Sequence, residues 1–167
     1  MKSYASLEEL LSDNVDLVIV NTPVDTHYEY AKKVLLAGKN AVVEKAFTTT
    51  VAQAQELANI AKDKGVKLIV FQNRRWDSDF KTIQKVINDG VLGDLVEAEF
   101  HFDRYNPLLS PKLHKESIND GSGILKDLGP HLIDQAVCLF GSPKGVFADI
   151  RITRENSLVD DWIDLLL

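Results

Sequence analysis

The sequence predicts an α/β fold in two parts: a parallel sheet, followed by an α/β region whose sheet is open and mixed or antiparallel. Three observations carry this. Continuous apolar runs, "VDLVIVNTP", "NAVVEKAF" and "VKLIVFQN", lack the alternation of a half-exposed strand and read as buried parallel strands. Helix-length segments separate them, with short connections, as parallel pairing requires. After Arg75 the pattern changes to period-two alternation, which places a boundary between 1–75 and 76–167.

The elements follow in order. "SLEELLSD" opens with Ser6 three residues before Glu9, a capping-box signature, and carries Leu7, Leu10 and Leu11 on one face. Val15–Val20 is the first strand, ended by Pro23. "HYEYAKKVLLAGK" is a helix that stops at Gly38, and Ala41–Glu44 is the second strand. "TTTVAQAQELANIAKDKG" is a helix with threonine at its start and Gly65 past its end, and Lys67–Phe71 is the third strand. "SDFKTIQKVINDGVLG" is again helical. In "DLVEAEFHFDRY", Val96, Ala98, Phe100 and Phe102 alternate with Glu97, Glu99, His101 and Asp103, which predicts a strand with one buried face. Residues 107–123 read as a loop. "GILKDLGPHLIDQAVCLFG" is a helix, and "GVFADIRITRE" and "VDDWIDLLL" are strands.

The chain has 167 residues, 45% hydrophobic and 26% charged, the balance of a globular protein. The net charge of −6 speaks against nucleic acid, whose phosphates call for a Lys/Arg excess. No apolar run approaches the ~20 residues of a membrane span, so no membrane partner is expected. The single cysteine, Cys138, forms no internal disulfide, and with no signal peptide visible a cytoplasmic location is expected. No metal-ligand spacing is present.

The chemistry-bearing residues cluster at strand ends and on one helix. Ligands of open α/β sheets bind beyond the carboxyl ends of the strands. Those ends carry Asn21, Thr22 and Pro23, then Glu44 and Lys45, then "QNRR". Any α/β protein places polar residues there, so each is equally the first solvated residue after a strand. His27 reads as a helix-start residue facing water or a ligand. Arg74 and Arg75 suit either an anion or ion pairs with Asp77 and Asp79. On a helical wheel, Leu125, Leu128, Leu132, Ala136 and Leu139 form an apolar stripe, and Asp127, His131, Asp134 and Cys138 form a nearly opposite polar one. Pro130 lacks an N–H, so a continuous helix begins no earlier than about Leu128, and Asp127 belongs to a cap or a preceding turn. The polar front is either solvated or a site in which His131 is a general base flanked by carboxylates.

Together, "NTPVDTHYEYAKKVLLAGKNAVVEKAFTTTVAQAQEL", "QNRRWDSDF" and "GSGILKDLGPHLIDQAVCLFG" resemble the Gfo/Idh/MocA oxidoreductases, in the subgroup of scyllo-inositol dehydrogenases. The resemblance covers nearly the whole chain in the right order. It implies a partial Rossmann sheet followed by part of the substrate domain. It implies an NAD- or NADP-dependent enzyme acting on a CH–OH group of a sugar, inositol or related polyol. His131 would be the acid/base, Lys45 would hydrogen-bond the reacting oxygen, and Asp127 would position substrate or His131. Asn21, Thr22, Pro23, His27, Glu44, Lys45, Asn73 and Arg74 would line the cofactor. A homo-oligomer through the C-terminal sheet is expected.

Two departures stand against this. The family's Glu-Lys-Pro is Glu44-Lys45-Ala46 here, and loss of proline frees the backbone at Lys45. No G-x-G-x-x-G occurs, so the chain reads as a fragment cut at both ends. The competing reading is a non-catalytic or decayed truncated module that binds or assembles without turnover.

Overall fold

The structure, a computed structural model, describes residues 2–167. The chain divides into two compact units, Met1–Phe71 and Gln72–Leu167.

In the first unit, helix α1 (Leu7–Ser12) starts where Ser6 Oγ accepts the Glu9 N–H at 3.1 Å. Strands β1 (Leu17–Val20), β2 (Asn40–Glu44) and β3 (Leu68–Phe71) form one parallel sheet in the order β1-β2-β3. The three predicted runs are therefore neighbouring parallel strands. Helices α2 (His27–Leu36) and α3 (Val51–Lys64) link them. Thr50 caps α3 by accepting from Gln53 N, and Gly65 ends it at φ +65, in the left-handed region. The Asn40 side chain fixes the starting register: it donates to Asp16 O at 2.7 Å and accepts from Lys67 N at 2.9 Å.

Register sorts the strand side chains onto two faces. The rows Val18–Ala41–Leu68 and Val20–Val43–Val70 turn toward α2 and α3. There Val20, Ala41 and Val43 pack with Ala31, Val34, Leu35, Leu57 and Ala61 in one core. The opposite row, Ile19–Val42–Ile69, is open, with Ile19 66% and Ile69 48% exposed. This corrects the expectation of strands buried on both faces. The apolar pattern calls for a layer on each face, and among the described residues only one face is covered.

In the second unit, a 3-10 turn (Asn73–Trp76) leads into α4 (Ser78–Asn88), whose Phe80 is buried. Three short helical pieces follow: α5 (Leu113–Glu116), α6 (Ile124–Asp127) and the longer α7 (Gly129–Phe140). Strands β4 (Phe147–Arg151) and β5 (Trp162–Leu166) pair antiparallel. The predicted strand around Val96–Phe102 is not found. Alternation is a side-chain signal, but a strand exists through its ladder, and this segment pairs with no strand among the described residues. Val96 is accordingly 98% exposed.

Candidate functional site

In the first unit, the polar residues gather where β1 and β2 end. Asn21, Thr22 and Pro23 follow Val20 and are exposed, and Glu44 and Lys45 close β2 half-buried. The Lys45 N–H donates to Glu44 Oε2 at 3.2 Å, and the Lys45–Ala46 peptide is cis. The β1 turn is fixed by Thr26, whose hydroxyl lies 2.7 Å from Pro23 O and 2.8 Å from Thr22 Oγ1. His27 is not on the surface. Its ring is fully buried, with Nδ1 2.8 Å from Ala46 O and Nε2 2.8 Å from Thr22 O. The helix-start histidine facing water is thus corrected to one facing backbone carbonyls.

In the second unit, the Gly123–Gly141 segment is two helical pieces. Asp127 ends α6, and α7 starts afresh at Gly129 with Pro130 in its first turn, where a missing N–H costs nothing. His131 is 6% exposed on α7. Each carboxylate near it in sequence is held by a cation. Lys115 Nζ lies 2.5 Å from Asp127 Oδ2. Arg75 grips Asp134 bidentately, Nε–Oδ2 at 2.8 Å and Nη2–Oδ1 at 2.6 Å. Asp134 in turn holds the Arg75 guanidinium above its ordinary value. So the carboxylate at the end of α6 and the one on α7 are each balanced by a cation from another segment. Arg74 pairs with Asp77 at 3.1 Å and stacks its guanidinium 5.1 Å from the Phe102 ring, while Arg75 reaches Asp134 rather than Asp79. Asn73 is exposed at the start of the 3-10 turn.

Behind this front stands a polar scaffold that sequence reasoning missed. The carbonyl of Asp160 accepts from Ile124 N at 2.8 Å and its carboxylate from Leu125 N at 2.8 Å, which pins the start of α6. Gly123 makes this approach possible, at φ +91 with no side chain. Asp161 accepts from Thr153 N and Oγ1 and from Arg154 N and Nε at 2.7–3.0 Å. Arg154 also forks onto Glu116, at 3.2 and 3.0 Å. The only sequence signal for this network was a set of charges left without assignment. Among the described residues, no cluster of three or more His, Cys, Asp or Glu side chains could hold a metal, and no helix is long and apolar enough to cross a membrane.

Two family models match the chain. Residues 1–72 match the model described as an oxidoreductase family with an NAD-binding Rossmann fold, and residues 80–167 match the GFO/IDH/MocA C-terminal domain. The scyllo-inositol 2-dehydrogenase (NADP(+)) IolW of Bacillus subtilis (strain 168) is 42% identical over 162 residues, covering 96% of this chain and 45% of the relative. The structure of the oxidoreductase yvaA from Bacillus subtilis superposes with a TM-score of 0.88 at 41% identity, over 96% of this chain and 45% of that one. GenD2 from gentamicin A biosynthesis, solved in complex with NAD, gives a TM-score of 0.80 at 25% identity, over 97% and 47%. The chain spans somewhat under half the length of the curated relatives it matches. With one family model covering its first 72 residues and the other more than half its length, the chain belongs to the GFO/IDH/MocA oxidoreductase family.

Proposed function

We propose that this chain supplies the nicotinamide rim and the acid/base helix of an NAD- or NADP-dependent dehydrogenase acting on a CH–OH group of a sugar, inositol or related polyol. The observation that carries the reading is His131. It is a nearly buried imidazole on a helix otherwise built for packing, with the carboxylates on either side of it in sequence each neutralised by a cation. Such a group is shielded from bulk water and placed by its helix, as a general base requires.

The rim fits a nicotinamide nucleoside in donor chemistry. Asn21, Thr22, Glu44, Lys45, Asn73 and Arg74 offer amide, hydroxyl, carboxylate and cationic groups at or just past strand ends. When bound, the cofactor supplies the acceptor for the two electrons of the alcohol; orientation and electrostatics come from the protein. His131 accepts the hydroxyl proton at one ring nitrogen. The Lys45 ammonium stabilises negative charge developing on the substrate oxygen. Asp127, held by Lys115, positions substrate or the imidazole. A cytoplasmic location, which suits a single unpaired cysteine, and a homo-oligomer through the C-terminal sheet belong to the same proposal.

The absence of G-x-G-x-x-G and the presence of Ala46 favour a second reading, a non-catalytic binding or assembly module. A chimera separates the two. In it, residues 1–167 replace the matched segment of the IolW relative, and NADP(+) reduction with scyllo-inositol is measured. Turnover that depends on Lys45 and His131 supports the dehydrogenase. A folded but inactive chimera supports the module.

A further inference from the structure

The ladder between β1 and β2 ends at the pair Val20–Val43. Past it the chains diverge into the two segments that form the rim. A side chain links them there: His27, at the first position of α2, sets Nδ1 2.8 Å from Ala46 O and Nε2 2.8 Å from Thr22 O. Thr22 lies two residues past the end of the ladder on one strand, and Ala46 three residues past it on the other. We propose that His27 is a positioning residue that ties the exit of β1 to the exit of β2, and so holds Asn21, Thr22 and Lys45 in place. The proposal rests on the reading of these strand ends as the nicotinamide rim.

The chemistry suits the task. An imidazole is rigid and carries its two nitrogens at separate corners, so one side chain reaches two carbonyls that face each other across it. A neutral ring donates to one of them, and a doubly protonated ring donates to both. The ring is completely buried, so its nitrogens meet protein rather than water. Filling the space with an apolar ring would keep the packing and delete the tie. The Thr26 hydroxyl shapes the β1 exit only within itself, against Thr22 and Pro23. His27 reaches from that turn to the neighbouring strand's exit.

Backbone 15N relaxation on the 167-residue chain tests the tie through three variants. His27→Phe removes both ring nitrogens. His27→Gln keeps an N–H near Nε2, and His27→Asn keeps one near Nδ1. In the unaltered chain the amides of Thr22, Val24, Lys45, Ala46 and Phe47 should show order parameters near ~0.85. His27→Phe should lower both groups below about 0.6. His27→Gln should loosen only Lys45–Phe47, and His27→Asn only the Thr22–Val24 side. Amides of Leu35 and Leu57 should not change in any of them. A uniform change in all three variants, or none at either exit, overturns the proposal. If the Phe variant does not fold, the opposite responses of Gln and Asn still decide it. A ring N–H of His27 that exchanges with water as fast as that of an exposed histidine also counts against it. No cofactor is present in this readout, so its failure removes the tie alone. Failure of the dehydrogenase reading appears separately, as an inactive chimera.

Discussion

Asp161→Asn removes a charge from the Asp161–Arg154–Glu116 network of the second unit while keeping the side chain's shape. Burial by itself would raise the Asp161 carboxyl. The N–H groups of Arg154 and Thr153, the Thr153 hydroxyl and the Arg154 guanidinium outweigh burial and hold it down at about 2, against an ordinary 3.8. Its side chain is only 5% exposed, so solvent screens little of this. At about 1.4 kcal/mol per pH unit, the difference is worth about 2 kcal/mol of stability. Because the folded carboxyl is held below its ordinary value, that contribution is complete above about pH 4 and is lost as pH falls through about 2. Asp161→Asn should therefore destabilise the second unit by about 2–3 kcal/mol near neutrality, since one carbonyl oxygen still accepts while the ion pair to Arg154 is gone. The gap between variant and parent should close as pH approaches about 2. Urea unfolding followed by tryptophan fluorescence measures this cleanly, because Trp76 and Trp162, the two tryptophans of the chain, both lie in the second unit. A variant within about 0.5 kcal/mol of the parent at neutral pH, or a gap that does not shrink in acid, would refute the reasoning.

Other perturbations have equally definite outcomes. Gly123→Ala would drive a Cβ into the Asp160 carboxylate at φ +91, so it should cost at least about 2 kcal/mol in the same assay and release the Leu125 N–H from Asp160. Val43→Ser, at a fully buried position, should cost about 3 kcal/mol by circular dichroism melts, while Ile19→Ser on the open face should cost under about 1, and equal costs would contradict the two-faced sheet. NADH fluorescence titration of the chain alone should show no saturable binding, because no G-x-G-x-x-G turn is present to cradle the pyrophosphate; a Kd of about micromolar order would point to another phosphate site, with Arg74 and Arg75 the first to test.

What the sequence made legible follows from range. Parallel strands and their crossovers are written locally, in apolar runs and helix stops, and β1–β3 appeared within two residues of their predicted starts. The division of α6 from α7 was readable from Pro130. Ion pairing was not, since Arg75 and Asp134 are 59 positions apart and Lys115 reaches Asp127 from α5, a short helix inside the stretch the sequence reads as a loop. The Val96–Phe102 alternation was misread because periodicity reports on side chains, whereas a ladder needs a second backbone. The placement of His27 was equally hidden. A histidine after a turn looks solvent-facing until the strand exits on either side of it are in place.

The central claim is that this chain's own His131 and Lys45 carry out alcohol oxidation. The most direct measurement is the turnover of the IolW chimera with NADP(+) and scyllo-inositol, with His131 intact and with His131→Ala. The account predicts measurable reduction of NADP(+) with His131 present, and a fall in kcat of about 10²–10⁴ on its removal with the fold retained. Turnover that is unchanged in His131→Ala, or absent in a folded chimera that retains His131, would contradict it.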